Sequence, residues 1–351
     1  MLRVTLQNQR NLQYDALKYR RWIKLKEVNS HDMLTLLSFN LLSQHYIWQP
    51  IFGHLDARYL DWKYRFPLIN QTIDQFKCDI MCFQEMEYDV FKRFWQKNLQ
   101  SHKYNSLFVK KTLPTYWGKK SRDYIDGVSI FYNSERFKLL DYEKVNFGSY
   151  ILENKSEFEM TQELRERVVP RNTVALLVKL YDNYFDKTII ITNTHLYWKF
   201  NDVKLIQTKI LLNILSKFIG KCINPYIIMT GDFNSSIDSL VYQLLLSNQI
   251  ILPQELQLKY GRNNSLITHD HRIENPISLS NTYQSLIDND QFFTCFTKAG
   301  ILDYIFTNKN QFVINEILSQ VDPSYYSTVK GFPNQQFPSD HIPLLVKLSY
   351  K

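Results

Sequence analysis

Asp232 and Asn234 follow the apolar run Ile227–Met229 in the stretch MTGDFNSS, which covers residues 229–236. Side chains of an extended chain repeat their direction every two residues, so both are expected to point out of the end of one strand. A carboxylate and an amide placed together can bind and orient a metal ion or a water molecule. Asp, Asn, Gly and Ser are also the usual turn residues, so this stretch alone leaves both interpretations open.

Other apolar runs of the sequence are also followed or interrupted by a residue that can bind metal or phosphate. These residues are Asn40 after LTLLSF, Glu85 after DIMCFQ, His195 after TIIITNT, Asp303 in GILDYIF, and the pair Asp340 and His341 in PSDHIPL. Each has an ordinary structural explanation on its own, as a cap, a solvated carboxylate, a core histidine or a turn. Ionisable groups are seldom placed against a core without partners, so the whole set predicts one shared functional site.

The residue types of this set favour metal-assisted chemistry on phosphate esters. Carboxylate and amide oxygens are suitable ligands for Mg²⁺, whereas no Cys/His cluster in the sequence has the spacing of a zinc site. A histidine beside an aspartate can be held in one tautomer and kept protonated, which stabilises negative charge on a phosphate. Oxygen ligands combined with histidines are what phosphodiester hydrolysis requires.

The elements that must position these residues are short apolar strands that alternate with helices. The predicted strands are Met33–Asn40, Asp79–Gln84, Gly127–Tyr132, Thr173–Leu180, Thr188–Thr194, Tyr226–Thr230, Leu302–Thr307 and Leu344–Leu348. The predicted helices are Trp62–Phe76, Asp89–Gln100, Asp202–Phe218 with Asp202 as a possible cap, and Ser239–Leu246. This mixture predicts an α/β fold of two layered sheets with helices outside. The polar stretch Gln254–Ser280 is expected to be a long surface loop.

Charge is distributed unevenly along the 351 residues. The net charge is +8, and residues 1–31 contribute +5 of it through seven Lys or Arg residues and two acidic residues. We therefore divide the chain into a basic N-terminal arm, residues 1–30, and a catalytic domain, residues 31–351. Such an arm suits an anionic partner such as nucleic acid or an acidic membrane surface, or is simply a solvated segment.

Cysteine content and hydropathy give information on the cellular compartment. The four cysteines are too few and too scattered for a disulfide framework, which indicates a reducing environment. No apolar run reaches the length of about 18 residues that predicts a transmembrane helix. We expect an intracellular, cytoplasmic protein. A mitochondrial or nuclear location is the alternative. Residues 1–13 carry two arginines and no acidic residue and weakly resemble the start of a mitochondrial transit peptide, but the segment is short and poor in serine.

The ordered series Asn40, Glu85, NTHLYW, GDFN, LDYIF and SDH resembles the endonuclease/exonuclease/phosphatase superfamily. The resemblance extends from Leu34 to Leu345, which is nearly the whole chain. It implies a DNase I-like fold, a two-sheet α/β sandwich. The GDFN and SDH motifs are shared by members as different as apurinic endonucleases and sphingomyelinases, so they specify only the superfamily.

Longer stretches are similar to one group within that superfamily, the Nocturnin, Angel and carbon-catabolite-repressor-type deadenylases. These stretches are LDWKYRFPLI, CDIMCFQEMEYDVF, GVSIFYN, NTVALLVKL, NTHLYW, LSNTYQSL and ILDYIF. The basic YRRWIKL segment before the first predicted strand looks like the fungal Ngl branch of the group. We find no leucine-rich repeats of the kind that carry the larger deadenylases to their complex.

The resemblance implies a metal-binding part of the site. Glu85 would be the main Mg²⁺ ligand, with Asn40 nearby, and Mn²⁺ would be able to substitute. Two ions are implied. Asp232 would orient or deprotonate the attacking water, Asn234 would hold the scissile phosphate or a second metal, and His195 would contact the phosphate.

The resemblance also implies roles for three residues near the C-terminus. Asp303 would support the second metal or its water. His341 would stabilise the charge that develops on the phosphate, and Asp340 would fix its ring. No covalent enzyme intermediate is implied.

Four further residues are candidates for contacts with the substrate. Phe296 lies near the position where the deadenylases place a base-stacking phenylalanine, although the local spacing requires a gap, and core packing is the alternative. Trp117, in a stretch that mixes Lys with Tyr116, is expected to line the RNA path or to belong to an ordinary basic loop. Arg65 and Arg171 are candidates for structural or phosphate contacts.

The sequence as a whole thus predicts a Mg²⁺-dependent 3′-to-5′ exoribonuclease that acts on single-stranded RNA, either poly(A) tails or RNA 3′ ends, and releases 5′-monophosphates. The alternative within enzymes is a phosphatase or phosphodiesterase of the same fold that acts on a nucleotide, a cyclic phosphate or a phosphoinositide. An inactive RNA-binding protein is disfavoured because Glu85, Asp232 and His341 are all present.

Overall fold

Two β-sheets packed face to face form the body of the protein. The computed structural model describes residues 14–27, 33–114, 117–118, 122–260, 266, 271–288, 292–298 and 300–351. The strands in chain order are β1 (Trp22–Lys24), β2 (Leu34–Asn40), β3 (Ile80–Glu87), β4 (Tyr104–Lys110), β5 (Asp126–Asn133), β6 (Phe137–Asn146), β7 (Val174–Asp182), β8 (Lys187–His195), β9 (Tyr226–Asp232), β10 (Gln249–Ile251), β11 (Arg272–Glu274), β12 (Leu279–Asn281), β13 (Asp303–Asn308), β14 (Phe312–Leu318) and β15 (Leu344–Tyr350). All eight predicted strands are present, and the predicted α/β sandwich is confirmed.

Each large sheet contains one parallel pair of strands within an otherwise antiparallel arrangement. The first sheet has the order β1-β14-β15-β2-β3-β5-β4, and β2 runs parallel to β3. The second has the order β12-β13-β9-β8-β7-β6, and β8 runs parallel to β9. A separate ribbon consists of β10 and β11. The two parallel pairs end at the same edge of the sandwich, and this edge carries the predicted site residues.

Helices cover the outer faces of the sandwich. The α-helices are Gln49–Phe52, Ala57–Leu60, Trp62–Phe76, Tyr88–Val90, Gln96–Ser101, Phe147–Glu153, Asn201–Ile219, Leu240–Leu246, Gln254–Tyr260, Gln284–Ile287 and Pro323–Tyr326. A π-helical turn, Phe91–Trp95, joins the fourth and fifth of these. All four predicted helices are present, although the third begins at Asn201, so Asp202 lies in its first turn and is not its cap.

The core between the sheets explains why these strands read as apolar runs. Leu36, Ile80 and Ile130 of the first sheet and Leu176 and Ile190 of the second are fully or almost fully buried in one cluster. β-branched residues fit such a pleated, covered surface. A second cluster lies between the first sheet and the helices Trp62–Phe76 and Gln96–Ser101.

Residues 14–27 of the predicted basic arm are packed on the domain. β1 pairs with β14, with Trp22 opposite Leu318. Arg20 is buried and donates hydrogen bonds to the carbonyl oxygens of Ser319 (2.8 Å) and Pro343 (2.6 Å). Over these residues the arm is therefore an edge of the first sheet. Its proposed role in targeting or RNA contact stays a prediction, and residues 1–13 lie outside the described residues.

The predicted loop Gln254–Ser280 is wrong as a single irregular segment. It contains the helix Gln254–Tyr260, the strand β11 and the start of β12, while residues 261–265 and 267–270 lie outside the described residues. The four cysteines are free thiols. Among the described helices, none has the length and apolar character that a membrane crossing requires.

Candidate active site

The ends of the two parallel strand pairs bring the predicted residues together. Asn40, the last residue of β2, is in register with Gln84 of β3. His195 and Asp232 end β8 and β9 and lie directly opposite each other. Asp303 begins the antiparallel strand β13 and is also opposite Asp232. Register aligns the strand ends within each sheet, and the 3.0 Å contact between Asn40 and Asp232 shows that the two sheets bring them to one edge.

A β-bulge aims Glu85 into this edge. Between Phe83 and Met86 the strand β3 has one residue more than its partner β5, and Glu85 has a φ of +56°. Bulges re-aim a side chain and are common beside active sites. The Glu85 Oε2 atom accepts a hydrogen bond from the backbone N–H of Ser43 at 2.8 Å, which fixes the carboxylate.

Asn40 links the two sheets through its amide nitrogen. Its Nδ2 donates to Glu85 Oε1 at 3.1 Å and to Asp232 Oδ2 at 3.0 Å. Its Oδ1 accepts the backbone N–H of Leu42 at 3.0 Å. Its Nδ2, and not its Oδ1, faces the two carboxylates, and the role of Asn40 as a metal ligand stays a prediction.

Buried carboxylates with spare oxygen atoms make this edge suitable for a cation. Ligand atoms of Glu85, His195 and Asp232 lie within 4.8 Å of one another, as do those of Asp232, Asp303 and His341. Among the described residues, Asp303 Oδ1 is buried without a hydrogen-bond partner. Burial and the charge of nearby acidic residues raise the pKa of Glu85 to about 7. A bound cation would relieve this cost, so the donor set fits a hard metal ion.

The histidine of the SDH motif is held by Asp303, and not by Asp340 as predicted. His341 Nδ1 donates to Asp303 Oδ2 at 2.7 Å. Burial opposes protonation, but the charges of Asp303 and other neighbours raise the pKa of His341 well above its ordinary value. Asp340 instead accepts a hydrogen bond from Thr297 Oγ1 at 2.5 Å. His341 Nε2 lies 3.7 Å from Asp232 Oδ2, so the cationic ring faces the centre of the site.

Asp232 and Asn234 form a turn and part of the site at once. The chain leaves the extended conformation, and Asn234 has a φ of +48°. Its backbone N–H donates to Asp232 Oδ1 at 2.8 Å, and its Oδ1 accepts from Lys298 Nζ at 2.7 Å. Burial would raise the pKa of Asp232, but the interactions with His195, with the charged His341 and Lys298, and with the backbone N–H of Asn234 lower it overall. Asp232 is therefore ionised.

Lys111 determines the tautomer of His195. Its Nζ lies 3.4 Å from His195 Nδ1, and an ammonium group can only donate. Nδ1 must then be the acceptor, so the proton of the neutral ring is on Nε2, which lies 3.6 Å from Asp232 Oδ2. Burial and the charge of Lys111 lower the pKa of His195 to about 3, which keeps the ring neutral. In this tautomer Nε2 is a hydrogen-bond donor and not a metal ligand.

The sequence reasoning did not identify the polar network that supports Lys111. Lys111 Nζ forms an ion pair with Asp126 Oδ2 at 2.7 Å, and Asp126 Oδ1 accepts a hydrogen bond from the hydroxyl of Tyr46 at 3.1 Å. Burial opposes ionisation of Asp126, yet Lys111 and His45 hold the pKa of its carboxyl well below the usual range. His45 lies between Asp126 and Glu87, at 3.5 and 3.7 Å.

Arg65 is not available to a substrate. It is fully buried and donates to the carbonyl oxygens of Leu41 (3.0 Å), Leu42 (2.7 Å) and Pro338 (3.0 Å). It therefore ties together the segments that follow Asn40 and precede His341. The prediction that Arg65 contacts phosphate is wrong, because its donors are used by the backbone. Arg171 lies over the ring of Tyr197, at 4.6 Å.

The two aromatic candidates differ in their surroundings. Phe296 stacks on Phe332, with ring centroids 4.6 Å apart, and packs against a small apolar cluster, as the core-packing alternative expected. Trp117 is buried and meets the ring of His45 edge-on at 4.9 Å. It thus lies beside the network of Asp126. Its neighbour Tyr116 lies outside the described residues. Substrate contacts of Phe296 and Trp117 stay predictions.

Comparison with other proteins finds relatives along almost the whole chain. The model of the endonuclease/exonuclease/phosphatase family matches residues 37–341. RNA exonuclease NGL1 of Saccharomyces cerevisiae is 32% identical over 358 residues, covering 92% of this chain and 94% of the relative. The CCR4-Not complex 3′-5′-exoribonuclease subunit Ccr4 of the same organism is 31% identical over 329 residues, covering 90% of this chain. The chain spans only 38% of that subunit.

Solved structures share the fold. ANGEL2, described as a 2′,3′-cyclic phosphatase, superposes with a TM-score of 0.75 at 24% identity and covers 94% of this chain and 98% of the other. The human Nocturnin catalytic domain gives a TM-score of 0.67 at 21% identity and covers 97% and 100%. The two-sheet fold, the site at its edge and the family match agree with one another. The chain belongs to the endonuclease/exonuclease/phosphatase family, whose members depend on metal ions.

Proposed function

We propose that this chain is a metal-dependent 3′-to-5′ exoribonuclease that hydrolyses the phosphodiester bonds of single-stranded RNA. One observation carries the proposal. The buried carboxylates of Glu85 and Asp232 both accept hydrogen bonds from the side-chain amide of Asn40, and two histidines face Asp232. The fungal relatives named as RNA exonuclease and exoribonuclease support the choice of RNA as the substrate.

The donor set supports Mg²⁺ as the ion, with Mn²⁺ as a substitute. Glu85 and Asp232 would hold it, and the bound ion would supply Lewis-acid stabilisation of the phosphate. For a second ion, one available oxygen is the buried Oδ1 of Asp303, which has no hydrogen-bond partner among the described residues.

The protein groups divide the remaining chemistry between them. Ionised Asp232 orients the attacking water and accepts its proton. The protonated His341 and the Nε2–H of His195 donate hydrogen bonds to the phosphate oxygens, where negative charge increases as the water adds to phosphorus. The leaving 3′ oxygen takes up a proton from water as its bond to phosphorus breaks, and Asp232 returns its proton to water. The products are a nucleoside 5′-monophosphate and RNA that is shorter by one nucleotide. No step requires a covalent bond to the enzyme.

Lysines next to Asn234 add positive charge at the same edge. Lys298 Nζ bonds the Asn234 side chain at 2.7 Å, and Lys204 Nζ donates to the Asn234 carbonyl oxygen. Neither ammonium group has a carboxylate within 4.0 Å among the described residues. Asn234 Nδ2 donates one N–H to the carbonyl oxygen of Leu196 at 3.1 Å, so its second N–H and the two ammonium groups would contact the scissile phosphate.

The test is digestion of 5′-labelled single-stranded RNA with a 3′ oligo(A) tail, beside a matched RNA with a non-A tail, in Mg²⁺ and in EDTA. We expect a ladder that shortens from the 3′ end only with Mg²⁺, and at least 100-fold slower digestion by Glu85→Gln, because the cation loses a charged ligand. The control is Glu135→Gln, since that carboxylate is 58% exposed and lies outside the site.

The pattern of the ladder distinguishes the substrates. Pausing where the oligo(A) tail ends would identify a deadenylase, and even shortening of both RNAs would identify a general trimmer of RNA 3′ ends. If folded wild-type protein shortens neither RNA in Mg²⁺ or Mn²⁺, the exoribonuclease proposal is wrong. Activity on a nucleotide or a 2′,3′-cyclic phosphate RNA end would then identify the phosphatase alternative of this fold.

A further inference from the structure

Two exposed tryptophans lie against each other beside the active site. Trp48 is 41% exposed and Trp198 is 52% exposed, and their ring centroids are 6.2 Å apart at an interplanar angle of 71°. An indole ring stabilises a protein mainly when its apolar surface is buried. Two adjacent exposed rings are therefore unfavourable in water unless a ligand covers them. The sequence analysis assigned no substrate contact to either residue, although Trp198 is the last residue of the NTHLYW motif.

The two rings come from segments that carry site residues on opposite sheets. Trp48 follows β2, which ends in Asn40, and its Nε1 donates to the carbonyl oxygen of His45 at 3.1 Å. Trp198 follows β8 and lies three residues after His195. The pair therefore bridges the two sheets on the side of the site where His195 lies.

A continuous set of contacts connects this pair with the reacting groups. The Trp48 ring meets the Tyr46 ring at 6.2 Å. The Tyr46 hydroxyl lies 3.2 Å from Lys111 Nζ, which in turn contacts His195. A base stacked on Trp48 or Trp198 would thus belong to a nucleotide close to the scissile phosphate.

The surroundings of the pair are basic. Lys199 follows Trp198 directly, and its Nζ lies 5.2 Å from the Phe200 ring centre. Arg171 lies over the neighbouring Tyr197. Proteins that hold single-stranded nucleic acid combine such cations, which contact the backbone, with aromatic rings on which bases stack. By contrast, Tyr142 is also exposed, but it lies on β6 at the far edge of the second sheet.

We infer that Trp48 and Trp198 form a base-stacking subsite for single-stranded RNA next to the catalytic groups. This inference rests on the proposed exoribonuclease function and specifies where its substrate is held. One aromatic face from each sheet would contact a base of the bound strand. The contact would not depend on base identity, since every base offers a π-face.

The test measures RNA binding in EDTA and digestion in Mg²⁺ for Trp48→Ala, Trp198→Ala and Trp48→Phe. We expect each alanine variant to raise both the dissociation constant for RNA and KM by about 5- to 150-fold, which is the range for loss of one stacked base. Its kcat should stay within about twofold of wild type. Trp48→Phe should recover most of the affinity. The control is Tyr142→Ala, which should match wild type.

RNAs with one abasic nucleotide, moved stepwise from the 3′ end, assign the contact. Wild type should lose affinity when the abasic nucleotide is at one position, and the alanine variants should lose nothing further there. Two results would overturn the subsite, provided that wild type digests RNA. In one, the alanine variants bind RNA as tightly as wild type does; in the other, each alanine substitution lowers the affinity for intact and for abasic RNA by the same factor. If wild type neither binds nor digests RNA, the exoribonuclease proposal fails, and the subsite inference fails with it.

Discussion

Hydrogen-bond partners, more than residue types, separate the roles of the two aspartates near His341. Asp303 holds the imidazole at 2.7 Å, while Asp340 accepts from Thr297. We expect Asp303→Asn to lower kcat by roughly 10²- to 10³-fold, the usual effect of losing one electrostatic stabiliser, because the ring loses its charge and its orientation. Asp340→Asn should lower kcat far less. Single-turnover digestion measures both, and equal losses would contradict this assignment.

His45 should make stability depend on pH in the alkaline range. Burial disfavours its charged form, but hydrogen bonds and the charges of Asp126 and Glu87 outweigh burial and raise its pKa to about 9. Because the pKa in the folded state exceeds the unfolded value, its contribution is complete below about pH 6.5 and is lost as the pH rises through about 9.

Urea unfolding of wild type and His45→Gln across this range measures that contribution. The free energy of unfolding of wild type should fall by on the order of 3 kcal/mol relative to the variant between about pH 6.5 and pH 9.5. Parallel curves for the two proteins would show that the ionisation of His45 is not linked to folding.

At the scale of the elements, Gly231 is required by the close approach of β9 to β8. It precedes Asp232, lies opposite Thr194 and has a φ of +149°, and a Cβ atom there would be 2.2 Å from the Thr194 carbonyl oxygen. We expect Gly231→Ala to destabilise the protein by about 3 kcal/mol or more and to displace Asp232, so that kcat falls as well.

Urea unfolding and single-turnover digestion test the Gly231 prediction. Gly300→Ala is the matched control, because among the described residues its added Cβ would contact the Lys298 carbonyl oxygen at an ordinary 3.5 Å and no other atom within 4 Å. It should change the free energy of unfolding by less than about 1 kcal/mol. A Gly231→Ala protein as stable as wild type would show that the two strands can separate without cost.

The elements that sequence reasoning found are those with a clear apolar signal. Strands β2, β3, β8 and β9 are buried over most of their length, so they read as apolar runs that end in polar residues. The strand β6, FKLLDYEKVN, was missed because it is an edge strand with mostly exposed side chains. The three-residue strand β1 is too short to show any period.

The same logic explains which site residues were found. A search for polar residues at the ends of strands identifies Glu85, His195 and Asp232. It misses Asp126, which lies at the beginning of β5, and it misses Lys111 because the preceding strand β4 is not among the predicted strands. Because β5 runs antiparallel to β3, its beginning lies at the same edge as the end of β3. The available signal for Asp126 was its position, with Gly127, directly before an apolar run.

The whole molecule should respond to the cation through its stability. Mg²⁺ that binds only the folded state, at 100 times its dissociation constant, adds about 2.7 kcal/mol to the free energy of unfolding. Thermal unfolding in EDTA and in Mg²⁺ should show a higher Tm with Mg²⁺ for wild type and Glu135→Gln. Glu85→Gln should show little or no shift. An equal shift in all three proteins would place the ion elsewhere.

The order of strands in the first sheet has a consequence for biosynthesis. The last strand of the chain, β15, lies between β14 and β2, directly beside the strand that carries Asn40, and His341 comes just before it. A ribosome must therefore add residues 341–350 before the first sheet can close and the histidine can join Asp303. A nascent chain that still lacks this segment does not contain His341 beside Asp303, so the proposed cleavage of RNA would begin only after β15 has been translated.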